Sequence, residues 1–304
     1  MMNLHKNKDD YYEIIKRIME DKNIMDKFIE KDYYVTMILE EFHNLEPDIV
    51  FKGGTSLSKA YHLINRFSED IDINYIDHSK LKNKKRKDIK YNLKFAVEKC
   101  GFSISNLEST RSKRFFNRYI IPYESVFDSD TNIRCEVVVE TAYQEQSYPV
   151  EKVKIRSMIA EYLIENGRQD IIDEYGLDGF EMYVQKYERT LIDKLFALVD
   201  YYLSGRIKEH SRHLYDIHMI YPLVDFNDEF NRLFNEVKLE RSKSEICLSA
   251  KEDANLVDLL NDIISKDIYK DDYESITSNL ILDGTSYEEC IKTLKEIINI
   301  IRVI

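Results

Sequence analysis

The sequence predicts an α+β protein in two parts. A strand-bearing N-terminal part with its own leading helices spans about 1–186, and an all-helical C-terminal part spans 187–304. Three observations support this. Strand-like apolar runs recur up to residue 186 and then stop. Helical apolar stripes dominate from Tyr187 onward. With 8 Gly and 4 Pro in 304 residues, little of the chain is left for irregular loops. No Pro- or Gly-rich linker marks the boundary near Tyr187.

Taken in order, residues 9–22 carry a helical stripe of Tyr12, Ile15, Ile18 and Met19, and 25–42 repeat it through Phe28, Ile29, Tyr33, Met37, Ile38 and Phe42. Ile49-Val50-Phe51 is a short β-branched run, long enough for a buried strand. Gly53-Gly54-Thr55-Ser56 follows as a turn, and Leu57, Ala60, Tyr61 and Ile64 then return at helical spacing. Residues 68–73 form a second strand. Residues 87–100 predict a helix closed by Gly101. Three strands are expected at 102–107, 116–123 and 133–140. Helices are expected at 153–166 and 168–175, separated by Gly167, then a turn at 176–179 and a short strand at 180–186. In the second part, 188–203 is a strong helix, followed by helices at 228–239, 251–264 and 288–304. Ser249 with Glu252 and Ser286 with Glu289 have capping-box spacing, and Asp283-Gly284 turns the chain before the last helix.

The chemistry concentrates in residues 49–73, IVFKGGTSLSKAYHLINRFSEDIDI. On the second strand Asp70 and Asp72 share one face, and Ile71 and Ile73 the other. Two neighbouring carboxylates repel unless a cation sits between them, and Mg²⁺ prefers carboxylate oxygens together with substrate phosphates. A glycine turn opening a helix lets backbone N–H groups approach phosphate closely. The stretch can therefore present a phosphate site and a metal site in one small unit.

Net charge is -12 and the isoelectric point about 5.2. This looks wrong for a nucleic-acid partner, but a net value hides patches. Residues 80–90 (KLKNKKRKDIK) hold seven basic residues against one acid, and Arg111, Lys113, Arg114 and Arg118 form a second cluster. Both lie in the part that carries the aspartate pair. Asp128, Asp130 and Asn132 imitate the start of a calcium loop, but Ile133 and Val139 occupy the positions that demand Gly and Glu, which excludes it. Cys100, Cys135, Cys247 and Cys290 are widely spaced, as expected of free thiols in a reducing compartment. No apolar run reaches about 18 residues, and the start MMNLHKNKDDYY has no apolar signal core. A cytoplasmic protein with no membrane partner is expected.

FKGGTSLSKAY followed by RFSEDIDI resembles the AbiEii/AbiGii toxin family of nucleotidyltransferases, within the DNA polymerase β-like superfamily. EKDYYV at 30–35 is similar to a segment of that family just before the first strand, and is read as packing against the sheet. ERTLIDKLFAL resembles a third family motif and maps its lysine onto Lys194. SRHLYD resembles a fourth, with Asp216 as the matching acid and no role for His213. The resemblance implies a polymerase β-like core with a mixed sheet. The helical C-terminal part would close the active-site cleft, since the motifs come from both parts. It also implies transfer of a nucleoside monophosphate from an NTP to an acceptor hydroxyl. Asp70, Asp72 and a third carboxylate would hold two Mg²⁺ ions. Glu136 is the expected third ligand, with Glu140 on the same strand face as the alternative. Gly53, Gly54, Thr55 and Ser56 would bind the β- and γ-phosphates, and Lys59, Lys194 and Ser68 would add contacts. Asp216 would position the base or ribose, or act as general base. The implied setting is a bacterial toxin–antitoxin or phage-defence system with a cognate antitoxin, and the implied acceptor is RNA, the tRNA 3′ end in some relatives. Two rivals are a small-molecule nucleotidyltransferase of the antibiotic-modifying kind and a non-catalytic nucleotide- or partner-binding module.

Overall fold

The computed structural model describes residues 3–303 except 67, 69, 113, 129–132 and 144. It divides into two compact units. One holds Met1–Ala60 and Ser68–Val184; the other holds Tyr61–Phe67 and Gln185–Ile304.

In the first unit, α1 (Lys8–Lys22) starts at Asn7, whose side chain accepts from Asp10 N, and it buries Tyr11, Ile14, Ile15 and Ile18. The longer α2 (Asp26–Leu45) is buried over much of its circumference, charged residues Glu30 and Lys31 included. Among the described residues six strands form one sheet in the order β3-β4-β2-β1-β6-β5. They are β1 (Ile49–Lys52), β2 (Asp70–Tyr75), β3 (Phe116–Pro122), β4 (Glu136–Ala142), β5 (Val150–Ile155) and β6 (Phe180–Gln185). β1 is antiparallel to β2 and parallel to β6, β2 is parallel to β4, and β3 is antiparallel to β4, so the sheet is mixed. Ile49, Val50 and Phe51 are fully buried, as expected of a central strand covered on both faces.

The helices of this unit are completed by α3 (Gly53–Lys59), α4 (Asn83–Lys99), α5 (Met158–Glu165) and α6 (Gln169–Tyr175). Gly101, at φ +89°, ends α4, with Phe102 N bonded to Val97 O in the reversed pattern of a helix stop. Several expectations need correction. The helix after the glycine turn stops at Lys59, and His62 already has positive φ, so Tyr61 and Ile64 are not helical. Residues 102–107 make no strand. Ser105 N donates to Ile120 O, and the Asn106 side chain donates to Arg118 O and accepts from Ile120 N, so one main-chain amide and one side chain satisfy the edge of β3 in place of a paired strand. The helix expected from 153 begins at Met158, and β5 precedes it at the sheet edge. Asp130 and Asn132 of the rejected calcium loop, and Lys113 of the second basic cluster, lie outside the described residues.

The second unit is helical: α7 (Tyr187–Leu203), α8 (Arg212–Ile220), α9 (Asp228–Ser242), α10 (Leu256–Ser265), α11 (Lys270–Ser275) and α12 (Tyr287–Ile301). Ser286 and Glu289 form the expected reciprocal capping box of α12. The other expected box fails: α10 starts at Leu256 with Asn255 as its cap, because that side chain accepts from both Val257 N and Asp258 N. The segment before β2 belongs here. Asn65 N donates to Tyr215 Oη (2.9 Å), and Leu282 N donates to Asn65 O (2.8 Å).

Candidate active site

In the first unit the glycine turn and the aspartate strand meet through sheet register. β1 ends where α3 begins, and Lys52 of β1 lies across from Asp72 of β2. Gly53 has φ +79°, and a methyl placed on it would come 2.0 Å from Asp72 Oδ2. The Asp72 carboxylate therefore fills the space a side chain would need, which only glycine leaves open. The turn is braced by hydroxyls: Ser56 Oγ donates to Gly53 O (2.9 Å), and Thr55 Oγ1 shares a 2.9 Å hydrogen bond with Ser68 Oγ. Asp70, Asp72, Gly53 and Gly54 are half-buried, whereas Thr55 and Ser56 are buried.

β4 carries both candidates for a third carboxylate, Glu136 and Glu140. Its parallel register pairs Asp70 with Val138 and Asp72 with Glu140, so Glu140 stands on the aspartate face beside Asp72. Glu136 shares that face by its even spacing but opens the strand, across from Pro122, where the sequence put it mid-strand. Glu140 lies 3.7 Å from Arg118, and Glu136 lies 3.7 Å from Arg134. Among the described residues no group of three or more His, Cys, Asp or Glu side chains is assembled to hold a metal by itself.

Lys59 is not directed to solvent. Its ammonium is buried and paired with Asp32 Oδ1 at 2.5 Å, while Asp32 Oδ2 accepts from Met158 N at 2.7 Å. The basic run at 80–90 is also partly internal. Lys85 binds Glu46, and Lys90 donates to the carbonyls of Leu107 and Thr110. Lys82, Lys84, Lys87, Arg111 and Arg114 remain exposed. They share α4 and its neighbourhood with exposed Tyr91, Phe95, Phe115 and Phe116, and the Arg86 guanidinium stacks 4.6 Å over Phe115.

In the second unit, Lys194 and Asp216 are brought together in a buried charge cluster. Lys194 Nζ lies 2.6 Å from Asp216 Oδ2. Asp216, 0 % exposed, also receives a bidentate grip from Arg66, Nε to Oδ1 at 2.6 Å and Nη2 to Oδ2 at 2.7 Å. Burial alone would raise the Asp216 pKa, but the Arg66 and Lys194 charges and hydrogen bonds outweigh it and hold the carboxyl well below its usual range. Burial lowers the Lys194 pKa, with Asp216 opposing. His213 Nδ1 lies 3.5 Å from Lys194 Nζ, and burial followed by the Lys194 charge pushes the pKa of this imidazole well below its usual value. Sequence reasoning missed Arg66. No local pattern marks it, because its partner Asp216 lies 150 positions further along the chain.

The fold is that of a nucleotidyltransferase toxin. MenT4, a nucleotidyltransferase toxin from Mycobacterium tuberculosis H37Rv, superposes with a TM-score of 0.51 over 91% of this chain and 86% of its own, at 14% identity. No curated protein matches the sequence. The model of the AbiEii nucleotidyl transferase toxin family, type IV toxin–antitoxin system, matches residues 38–295, and the chain belongs to that family. It is accordingly a nucleotidyltransferase, with an NTP as substrate and an antitoxin as the implied partner. Among the described residues no helix is long and apolar enough to cross a membrane.

Proposed function

We propose that the protein is a Mg²⁺-dependent enzyme that transfers a nucleoside monophosphate from an NTP to a hydroxyl of RNA, with a tRNA 3′ end as the leading acceptor. The apposition of Asp72 and Gly53 carries this reading, because it puts a carboxylate against the turn suited to phosphate. Mg²⁺ bound with a nucleotide takes one or two protein carboxylates and fills its remaining positions with phosphate oxygens and water. Asp70 and Asp72 fit that requirement without a preassembled protein cage. Glu140, level with Asp72, is placed ahead of Glu136 as the third acid. When bound, the metal would neutralise charge on the phosphates.

The chain's own groups would do the rest. Backbone N–H groups of Gly53 and Gly54, with the Thr55, Ser56 and Ser68 hydroxyls, would hold the triphosphate. Within the second unit, Asp216 would hold Lys194 and Arg66 in place. RNA is favoured over a small acceptor by the exposed lysines and arginines of α4 and the 111–118 segment beside exposed aromatic rings, since backbone charge and base stacking are what such a surface offers. A cytoplasmic location is part of the same proposal.

Each α-labelled NTP incubated with the protein, Mg²⁺ and total RNA should yield labelled RNA for at least one nucleotide, with tRNA-sized bands dominant. Label appearing only on aminoglycosides or other small acceptors would refute the RNA acceptor.

A further inference from the structure

Glu30, Lys31 and Asp32 are consecutive ionisable residues within α2, and all are largely removed from solvent. Glu30 is 0 % and Lys31 1 % exposed, and the Asp32 side chain 10 %. Successive helix positions turn by about 100°, so the three reach different neighbours. Glu30 accepts from Ser125 Oγ (2.5 Å) and Val126 N (3.0 Å), in the connection between β3 and β4. Lys31 Nζ donates to the Arg134 carbonyl at 3.0 Å, two residues before β4. Asp32 ties down Lys59, the last residue of the helix that starts at Gly53, and the first residue of α5. All these contacts lie within the first unit.

Burying such a charged run is costly, and apolar residues would pack a helix on a sheet at least as well. Hydrogen bonds add direction, which apolar contacts lack. The groups they fix bracket the proposed nucleotide site: the far end of the glycine-turn helix, and the entry to the strand carrying Glu136 and Glu140. We infer that Glu30, Lys31 and Asp32 are positioning residues for that site, and that Lys59 acts through Asp32 and does not touch phosphate. This rests on the nucleotide-site reading above.

The test uses the full chain as Asp32→Asn, Lys59→Gln and the double variant. Rates of label transfer from α-labelled NTPs to total RNA with Mg²⁺ are measured well below each unfolding midpoint, and amide hydrogen exchange is followed over residues 55–60. Each single variant should lose about ten- to a hundredfold in kcat/KM, the scale of a misplacement near 1 Å. The double variant, a neutral pair able to hydrogen-bond, should recover most of it, and exchange in α3 should rise and fall in parallel. A double variant as impaired as Lys59→Gln would mean that Lys59 meets phosphate itself, and would overturn the inference. Unchanged kcat/KM in the single variants would reduce the tie to a structural one and overturn it equally. A wild-type protein that transfers no label defeats the nucleotide-site reading. In that case α3 exchange still judges the Asp32 tie: unaltered exchange in Asp32→Asn refutes it, and faster exchange reversed in the double variant upholds it.

Discussion

Gly53→Ala probes the proposed site with a single methyl group. Its Cβ would lie 2.0 Å from Asp72 Oδ2 and 2.8 Å from Asp72 Cγ, whereas real Cβ contacts essentially never fall below 3.0 Å. Either the carboxylate or the turn must retreat by about 1 Å, and misplacement on that scale costs about 10²-fold in rate. The φ of +79° adds about 1–3 kcal/mol of backbone strain for an alanine. Strain and crowding are separated by Gly101→Ala, where φ is +89° and nothing lies within 4 Å of the new methyl. The assay is label transfer from NTP under saturating Mg²⁺, with the unfolding midpoint measured in parallel. Gly53→Ala should lose about 10²-fold in kcat/KM. Gly101→Ala should lose stability but keep wild-type turnover. A folded Gly53→Ala protein with undiminished transfer would show that the Asp72–Gly53 contact is not part of the reaction site.

Further outcomes follow from the same geometry. Glu140→Gln should reduce turnover more than Glu136→Gln does, because register sets Glu140 beside Asp72; comparison of the two kcat values decides it. Asp216→Asn leaves Arg66 and Lys194 buried without their anion, and should destabilise the second unit by about 3–5 kcal/mol in urea titrations. Acid should weaken the fold from pH 6.5 downward. His210 is lowered to about 4, by burial first and then the Arg212 charge, and His213 is lowered as well. The unfolded chain therefore takes up protons near 6.5 that the folded chain refuses, so these histidines cost nothing above 6.5 and increasingly destabilise as pH falls toward 4. Asp216 has the opposite character. Its pKa is depressed, so its contribution is intact above 3.8 and fades only below it. Unfolding midpoints between pH 7 and pH 4 should fall, and His210→Gln should flatten the slope.

Much of this was legible in the chain. The alternation of Asp70-Ile71-Asp72-Ile73 placed both carboxylates on one face, and the apolar triplet Ile49-Val50-Phe51 marked the central strand, because burial on both faces leaves no polar position. What escaped depended on long-range partners. β5 is an edge strand with shallow burial, so Val150–Ile155 shows little periodicity to read. The choice between Glu136 and Glu140 is a matter of register, which no single strand contains. Lys59 follows the glycine turn, but its pairing with Asp32, 27 positions earlier, is a long-range contact that no local pattern announces. Arg66 was passed over because its partner lies 150 positions away.

The most direct measurement is a crystal of the full chain with Mn²⁺ and a non-hydrolysable NTP analogue, located by anomalous scattering. The account predicts a metal peak coordinated by the Asp70 and Asp72 carboxylates at about 2.1 Å, the distance Mg²⁺ demands, with the triphosphate along Gly53 to Ser56. A metal–nucleotide complex bound elsewhere, with both aspartates uninvolved, would contradict it.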